Sequence, residues 1–532
     1  MTKSLTAKID NLFTEWDRAD SPGCSIGVIR NGAFVYKRGY GMASLEHSIP
    51  ISSSTVFDIG STTKQFVALC VELLIQDGLI APGDAVQKYI PEMPRYKYRV
   101  TIDNLIHHTS GIRDYLTLMD LAGMRFENEY PLEEILGLIT RQKDLNFTPG
   151  SEFLYSNSGY LLLGEIVRRV SGLSLRAFAA KHIFSPLGMK NTHFNDNFSE
   201  IVKNKACAYA PSGTGLKVDM SIFDVVGDGG VNTTVEDMLL WDRNFYKNEL
   251  GRGGRQLILK TTTPGTLSDG KRLEYAHGLF VTSYRRLKMI SHAGAWMGYR
   301  SELLRFPEKK FSIVYLSNFS KGNPAKLSRD IADLCIDEWF AKGAGTKKLP
   351  VLPPPAVQVE KAKIGVYLSS RGNVVEIMEG VNGTTLNISG SSLQLIPCGA
   401  GTFSAGKVYQ VDWVAGTSKA AKRLRVQREG MPAEIYSRLA AFTPEKDSIR
   451  DFAGEYKCKE LGTAYQLRVA DSALILTRRG SADETLSRLR RDLFKGGEFL
   501  LKFLNSTDKS PAGFFLSAGR VKNLYFKKEA TS

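Results

Sequence analysis

The sequence predicts an α+β protein: an antiparallel sheet flanked by helices, followed by two small antiparallel β-barrel domains. Three observations predict it. A helix and hairpin at the start, and a strand-strand-helix pattern ending near residue 340, bracket a helix-rich middle. After Pro353-Pro354-Pro355 the pattern changes to short alternating runs rich in glycine. Those runs repeat weakly: Ile364-Gly-Val-Tyr367 returns as Phe452-Ala-Gly-Glu-Tyr456, and residues 425–436 resemble 515–526. The expected organisation is a first domain over 1–344, a proline-rich linker over 345–356, and barrels over 357–442 and 448–532.

The 532 residues suffice for two to four domains, and 43% apolar with 23% charged residues is the composition of a chain that buries a core. A net charge of +15 raises the question of anionic partners. The basic residues are scattered, however. The densest clusters, at 419–425 and 488–491, adjoin no recognition helix or finger spacing, so no nucleic-acid partner is expected. Six cysteines lie far apart without a Cys-x-x-Cys, which fits reduced thiols rather than a disulfide scaffold or metal site. Met1 to Pro22 lacks the apolar stretch of a secretory signal, and no run is long enough to span a bilayer. A cytoplasmic location without membrane insertion is the expectation.

In chain order, Leu5, Ile9, Leu12 and Phe13 give a first amphipathic helix. Cys24 to Ile29 and Ala33 to Tyr36, joined through Asn31-Gly32, give a hairpin. Phe57 to Ile59 leads into Gly60-Ser61-Thr62-Thr63-Lys64, and Phe66, Val67, Leu69, Cys70, Leu73 and Leu74 continue with helical spacing to Gly78. Residues three apart share a helix face, so Ser61 and Lys64 point together. A serine needs a neighbouring base to become a nucleophile, and a desolvated lysine amine can serve.

Thr101 and Asn104 are placed to cap a short helix before His107 and His108, which read as structural. Tyr155-Ser156-Asn157 follows a Pro149-Gly150 turn and precedes the helical run Leu161 to Val167, a position that presents the tyrosine hydroxyl. Gly227-Asp-Gly-Gly230 reads as a flexible segment before a helix capped by Thr234. Lys288 to Trp296 reads as extended, with small residues after His292 that permit close backbone approach. Two strands, Tyr299 to Phe306 and Phe311 to Asn318, precede a closing helix from Asn323-Pro324 to about Phe340.

Three separated pieces, Ser61-Thr-Thr-Lys64, Tyr155-Ser-Asn157 and His292-Ala-Gly294, together resemble the serine penicillin-recognising family: class C β-lactamases, D-alanyl-D-alanine carboxypeptidases and related esterases. Within it the chain is most similar to the three-domain D-stereospecific aminopeptidases. The resemblance covers residues 10 to 340 and implies a serine β-lactamase-like first domain. It implies that Ser61 is acylated, that Lys64 orients it and shares its proton, and that Tyr155 serves as general base in acylation. Whether Lys64 or Tyr155 is the working base stays open, since the two are coupled. Asn157 is implied to bind the substrate amide, with Gly294 and Ala295 along the substrate. His292 relays a proton to the tyrosine or meets the substrate's polar end. The N–H groups of Ser61 and Ala295 would form the oxyanion hole. No cofactor or metal is required.

The expected substrate is a small peptide, amide or ester. An aminopeptidase releasing N-terminal D-residues leads, with Glu274, Asp114 or Asp228 as acceptors for the ammonium. A D-alanyl-D-alanine carboxypeptidase, with Arg113 or Arg300 supplying charge, and a broad esterase are the alternatives. In the aminopeptidase group a loop of the last barrel limits substrate length. The polar stretch 480–491 stands for that loop or for a solvated excursion. The appended domains could also carry a homodimer interface.

Overall fold

The structure is a computed structural model. It describes residues 1–340, 449–504 and 511–529, and 359–442 apart from the connections 371, 381–382, 389–390, 400, 407–408, 415–422, 429–432 and 441. The expected linker at 345–356 lies outside the described residues. Contacts divide the chain into two compact units. One comprises 1–111, 126–137 and 147–346; the other comprises 112–125, 138–146 and 347–532. Two short segments that the sequence reading left in the first domain therefore cluster with the barrels.

The first unit is built on a six-stranded sheet in which every neighbouring pair is antiparallel. Its strands are β1 (Cys24–Arg30), β2 (Ala33–Tyr40), β3 (Phe280–Tyr284), β4 (Leu287–Trp296), β5 (Tyr299–Phe306) and β6 (Phe311–Ser317), in the order β3-β4-β5-β6-β1-β2. The N-terminal hairpin thus joins the C-terminal strands directly, through β1 on β6. Asn31 and Gly32 both take positive φ, 52° and 75°, as a two-residue hairpin turn requires.

Helix α1 (Lys3–Asp10) and helix α5 (Pro324–Phe340) cover one face. There Leu5, Ile9, Phe13, Leu327, Ile331 and Cys335 pack with Ile26, Val28, Leu304 and Ile313. Helix α2 (Lys64–Gln76), helix α3 (Asn157–Ser171) and helix α4 (Val235–Asn244) make up the remainder of the helical part that concerns the site. Every residue of α2 from Lys64 to Leu74 is buried, so the helix runs through the interior. Thr234 caps α4 by accepting from Asp237 N, as its sequence position suggests.

The second unit holds two closed eight-stranded antiparallel barrels, with strands between Gly365 and Arg438 and between Gly454 and Lys528. The repeat seen in the sequence is structural. Gly365 and Gly454 open the two barrels with φ of 144° and 139°. Tyr367 donates to Lys363 O at 2.7 Å, and Tyr456 donates to Phe452 O at 2.9 Å. Each barrel therefore begins with the same inward tyrosine closing the same turn. Leu439, Leu493 and Leu500 bury an apolar seam, with Val366, Leu368 and Val374 packed on it. The polar stretch 480–491 is not an excursion: Glu484–Arg490 is a barrel strand. It reads as polar because Leu486 is its only buried residue.

Among the described residues no helix is long and apolar enough to cross a membrane. All six cysteines are free, and Cys24, Cys70, Cys335 and Cys458 are buried.

Candidate active site

Gly60–Thr63 forms a 3-10 turn that feeds into α2 at Lys64. Side chains three apart eclipse one another in such a turn. That is why Ser61 and Lys64 meet, with Lys64 Nζ 2.9 Å from Ser61 Oγ. The turn is anchored at several points. Asp58 Oδ1 accepts from Gly60 N at 2.7 Å, and Ser301 Oγ on β5 donates to Ile59 O at 2.7 Å. Thr62 Oγ1 donates to His292 O on β4 at 3.1 Å.

Close approach to β4 explains two glycines. A Cβ on Gly294 would sit 1.9 Å from Ile59 O. Gly60 takes φ of 47°, and its Cβ would meet Ala295 N at 2.7 Å. The backbone of Ala295 is thereby brought beside the serine turn, with its side chain exposed.

Lys64 is fully buried. Besides Ser61 Oγ, its Nζ donates to Asn157 Oδ1 at 2.9 Å and to the carbonyl of Asp228 at 2.6 Å. It also lies 4.9 Å from the ring centre of Tyr155 and 5.7 Å from that of Tyr160. Asn157, expected to face the substrate, is engaged with Lys64. The Asp228 carbonyl was not legible as a site group. The glycine-rich stretch around it reads as flexible, yet Lys64 and the bond from Val231 N to Thr63 Oγ1 at 3.1 Å hold it in place.

His292 and Tyr155 come together. His292 Nε2 is 3.5 Å from Tyr155 OH and 3.2 Å from Tyr275 OH. Its Nδ1 lies 2.7 Å from the carbonyl of Ala293, which can only accept, so the proton sits on Nδ1 and Nε2 offers its lone pair. Burial, reinforced by the charge on Lys64, pushes its pKa down to about 3. His292 is a neutral acceptor facing two phenols.

His108 also supports this group. Its Nδ1 accepts from Ser156 N at 3.1 Å, and its ring lies 4.2 Å from that of Tyr155. Thr101 and Asn104 form the capping box of the helix Ile102–Ile106 just before it. Neither His108 nor Tyr275 carries a sequence signal for this role beyond its residue type.

Of the charges considered for substrate termini, Arg113 and Asp114 are engaged within the barrel unit, and Arg300 is held through one nitrogen. Arg113 is buried in the barrel unit, bonded to Glu460 at 2.8 Å, Gln142 at 3.0 Å and the carbonyls of Lys522 and Asn523. Asp114 caps the helix Tyr115–Ala122 in that same unit and pairs with Arg520 at 3.3 Å. Arg300 donates to the carbonyls of Met297 and Tyr299, both at 2.6 Å.

The sequence model of the Beta-lactamase family matches residues 9–338, and the chain belongs to that family. It is a serine hydrolase of the class that includes penicillin-binding proteins and D-aminopeptidases. A D-aminopeptidase of Gluconobacter oxydans (strain 621H) is 25% identical over 470 residues, 87% of this chain and 85% of that one. Penicillin-binding protein 4* of Bacillus subtilis (strain 168) is 27% identical over 334 residues, 60% of this chain and 73% of that one. Among solved structures, the octameric penicillin-binding protein homologue from Pyrococcus abyssi shares the fold. Its TM-score is 0.58 at 23% identity, with 81% of this chain and 99% of that one covered.

Proposed function

We propose that the enzyme releases N-terminal D-amino acids from short peptides or amides through an acyl-enzyme on Ser61. The observation that carries this reading is the lack of a committed cation for a substrate carboxylate among the residues considered. His292 is neutral, and Arg113 and Arg300 are bonded elsewhere. A carboxypeptidase needs such a cation. The similarity to a D-aminopeptidase over 87% of the chain supports the same choice.

The geometry supports a specific first step. Asn157 Oδ1 and the Asp228 carbonyl accept from two of the three N–H positions on Lys64 Nζ. The third direction faces Ser61 Oγ. The resting amine is charged and donates to Ser61 Oγ; once it has lost a proton this direction carries the lone pair, and Lys64 takes the Ser61 proton as Oγ attacks the carbonyl carbon. The N–H groups of Ser61 and Ala295 receive the oxyanion. Tyr155 gives its hydroxyl proton to the leaving nitrogen and takes up the proton that Lys64 received from Ser61, and the C–N bond breaks. Water then attacks the ester, a proton returns to Ser61 Oγ, and the free acid leaves.

Matched p-nitroanilides test the reading: D-alanine and L-alanine with free amines, and N-acetyl-D-alanine, with Ser61→Ala as control. Cleavage confined to the free D-amine is the expected result. Turnover only of a D-Ala-D-Ala peptide or of simple esters would replace this reading with the carboxypeptidase or the esterase. The same preparation in a sizing column reports whether the chain forms a dimer.

A further inference from the structure

Strand β4 carries two large side chains on one face, His292 and Trp296, with Gly294 between them. Side chains alternate along a strand, so these three point the same way, toward Ile59 and the serine turn. At 3.3 Å per residue the two lie roughly 13 Å apart, one on each side of Gly60-Ser61. His292 stands with Tyr155. A group that delivers a proton to the leaving nitrogen must lie beside it. The leaving group therefore occupies the His292 side, and the acyl part of the substrate extends toward Trp296.

Trp296 belongs to an aromatic cluster drawn from three separate segments of the first unit. Its ring centre is 6.2 Å from Phe126 and 5.8 Å from Phe223, and Phe223 is 6.4 Å from Tyr130. Trp296, Phe126 and Tyr130 are only partly buried, so these rings present a face to solvent as well as to one another. An apolar wall of this kind beside an oxyanion strand binds by excluding water from apolar surface.

Carboxylates stand beside the rings. Glu127 and Glu129 lie between Phe126 and Tyr130 in sequence and are exposed, and Asp224 follows Phe223. Asp224 is close enough to Glu129 and Asp196 for their charges to add to the effect of burial in raising its pKa. An acidic rim around an aromatic wall suits a group that is apolar in its side chain and cationic at its amine.

We infer that Trp296, Phe126 and Phe223 form the pocket for the acyl residue's side chain, and that this side chain is bulky and apolar or aromatic. The inference rests on the aminopeptidase reading for the amine alone; the wall is independent of it.

Two substrate series separate the two claims. Esters without an amine, p-nitrophenyl phenylacetate against p-nitrophenyl acetate, test the wall. The p-nitroanilides of D-phenylalanine and D-alanine test wall and amine together. The wild type is expected to favour the phenyl member of each pair by tenfold or more in kcat/KM. Trp296→Ala should lower the phenylacetate-to-acetate ratio at least tenfold. Phe126→Ala, at a half-exposed position, should lower it severalfold and serves if the tryptophan variant fails to fold. An ester ratio that is near one in the wild type, or unchanged in both variants, overturns the inference. Inert anilides with the ester ratio behaving as expected would sink the aminopeptidase reading and leave the wall standing.

Discussion

The Nδ1 of His292 lies 2.7 Å from the carbonyl oxygen of Ala293, and this contact sets the chemistry of the imidazole. A carbonyl cannot donate, so the tautomer is fixed and Nε2 is left as an acceptor between Tyr155 and Tyr275. Protonating that nitrogen would bury a second positive charge near Lys64, and its pKa of about 3 reflects this.

The consequence for stability has a definite sign. The unfolded histidine titrates near pH 6.5, and the folded one near 3. Between these values the unfolded chain binds more protons, so stability is full above about pH 6.5 and falls as the pH drops toward 3. The whole window corresponds to about 5 kcal/mol from this group. His292→Gln titrates in neither state. Urea unfolding from pH 7 to 4 should show a shallower loss in the variant than in the wild type. Equal slopes would contradict the buried neutral imidazole. The same neutrality predicts no inflection from His292 in kcat/KM between pH 5 and 8.

Lys64 offers a test that separates chemistry from structure. Ser61→Ala should abolish turnover while leaving the unfolding midpoint close to the wild type. Lys64→Met should abolish turnover and also destabilise by about 2–4 kcal/mol, because Asn157 Oδ1 and the Asp228 carbonyl lose a buried donor. A Lys64→Met protein as stable as Ser61→Ala would mean that the amine carries no structural bonds.

Gly294 is expected to be the least tolerant glycine of the site. A methyl group there would stand 1.9 Å from Ile59 O, which is backbone and cannot swing aside. Gly294→Ala should lose most activity and cost about 3 kcal/mol or more, in the range of severe overpacking. Gly83→Ala is the control, since nothing lies within 4 Å of its Cβ position. Thermal melts of the two, with kcat measured alongside, would decide whether β4 must press on the serine turn.

What could be read in the sequence depended on whether a role belongs to a residue type or to a partner far away. The hairpin was legible because Asn-Gly takes two successive positive φ angles at little cost. Ser61, Lys64, Tyr155 and His292 were legible as residue types in order, and the structure brings them together. The Asp228 carbonyl was not, because every residue has one. Glu484–Arg490 was misread because a barrel strand that buries one leucine looks like a polar loop. Arg113 was misread because its main partner, Glu460, lies 347 residues away.

That last pair makes the final prediction. Arg113 and Glu460 are both buried, 2.8 Å apart, and Glu460 also accepts from Lys143 N at 2.7 Å. Burying one charge without the other costs more than the pair contributes, so Arg113→Met should destabilise the barrel unit by about 3–5 kcal/mol. Adding Glu460→Gln removes the stranded charge while an amide oxygen can still accept from Lys143, so the double variant should recover part of that loss. Limited proteolysis that maps cuts to residues 449–529 would report it. If the single and double variants unfold alike, Glu460 is not held by Arg113, and the segment around residue 113 is kept in the barrel unit by its apolar contacts instead.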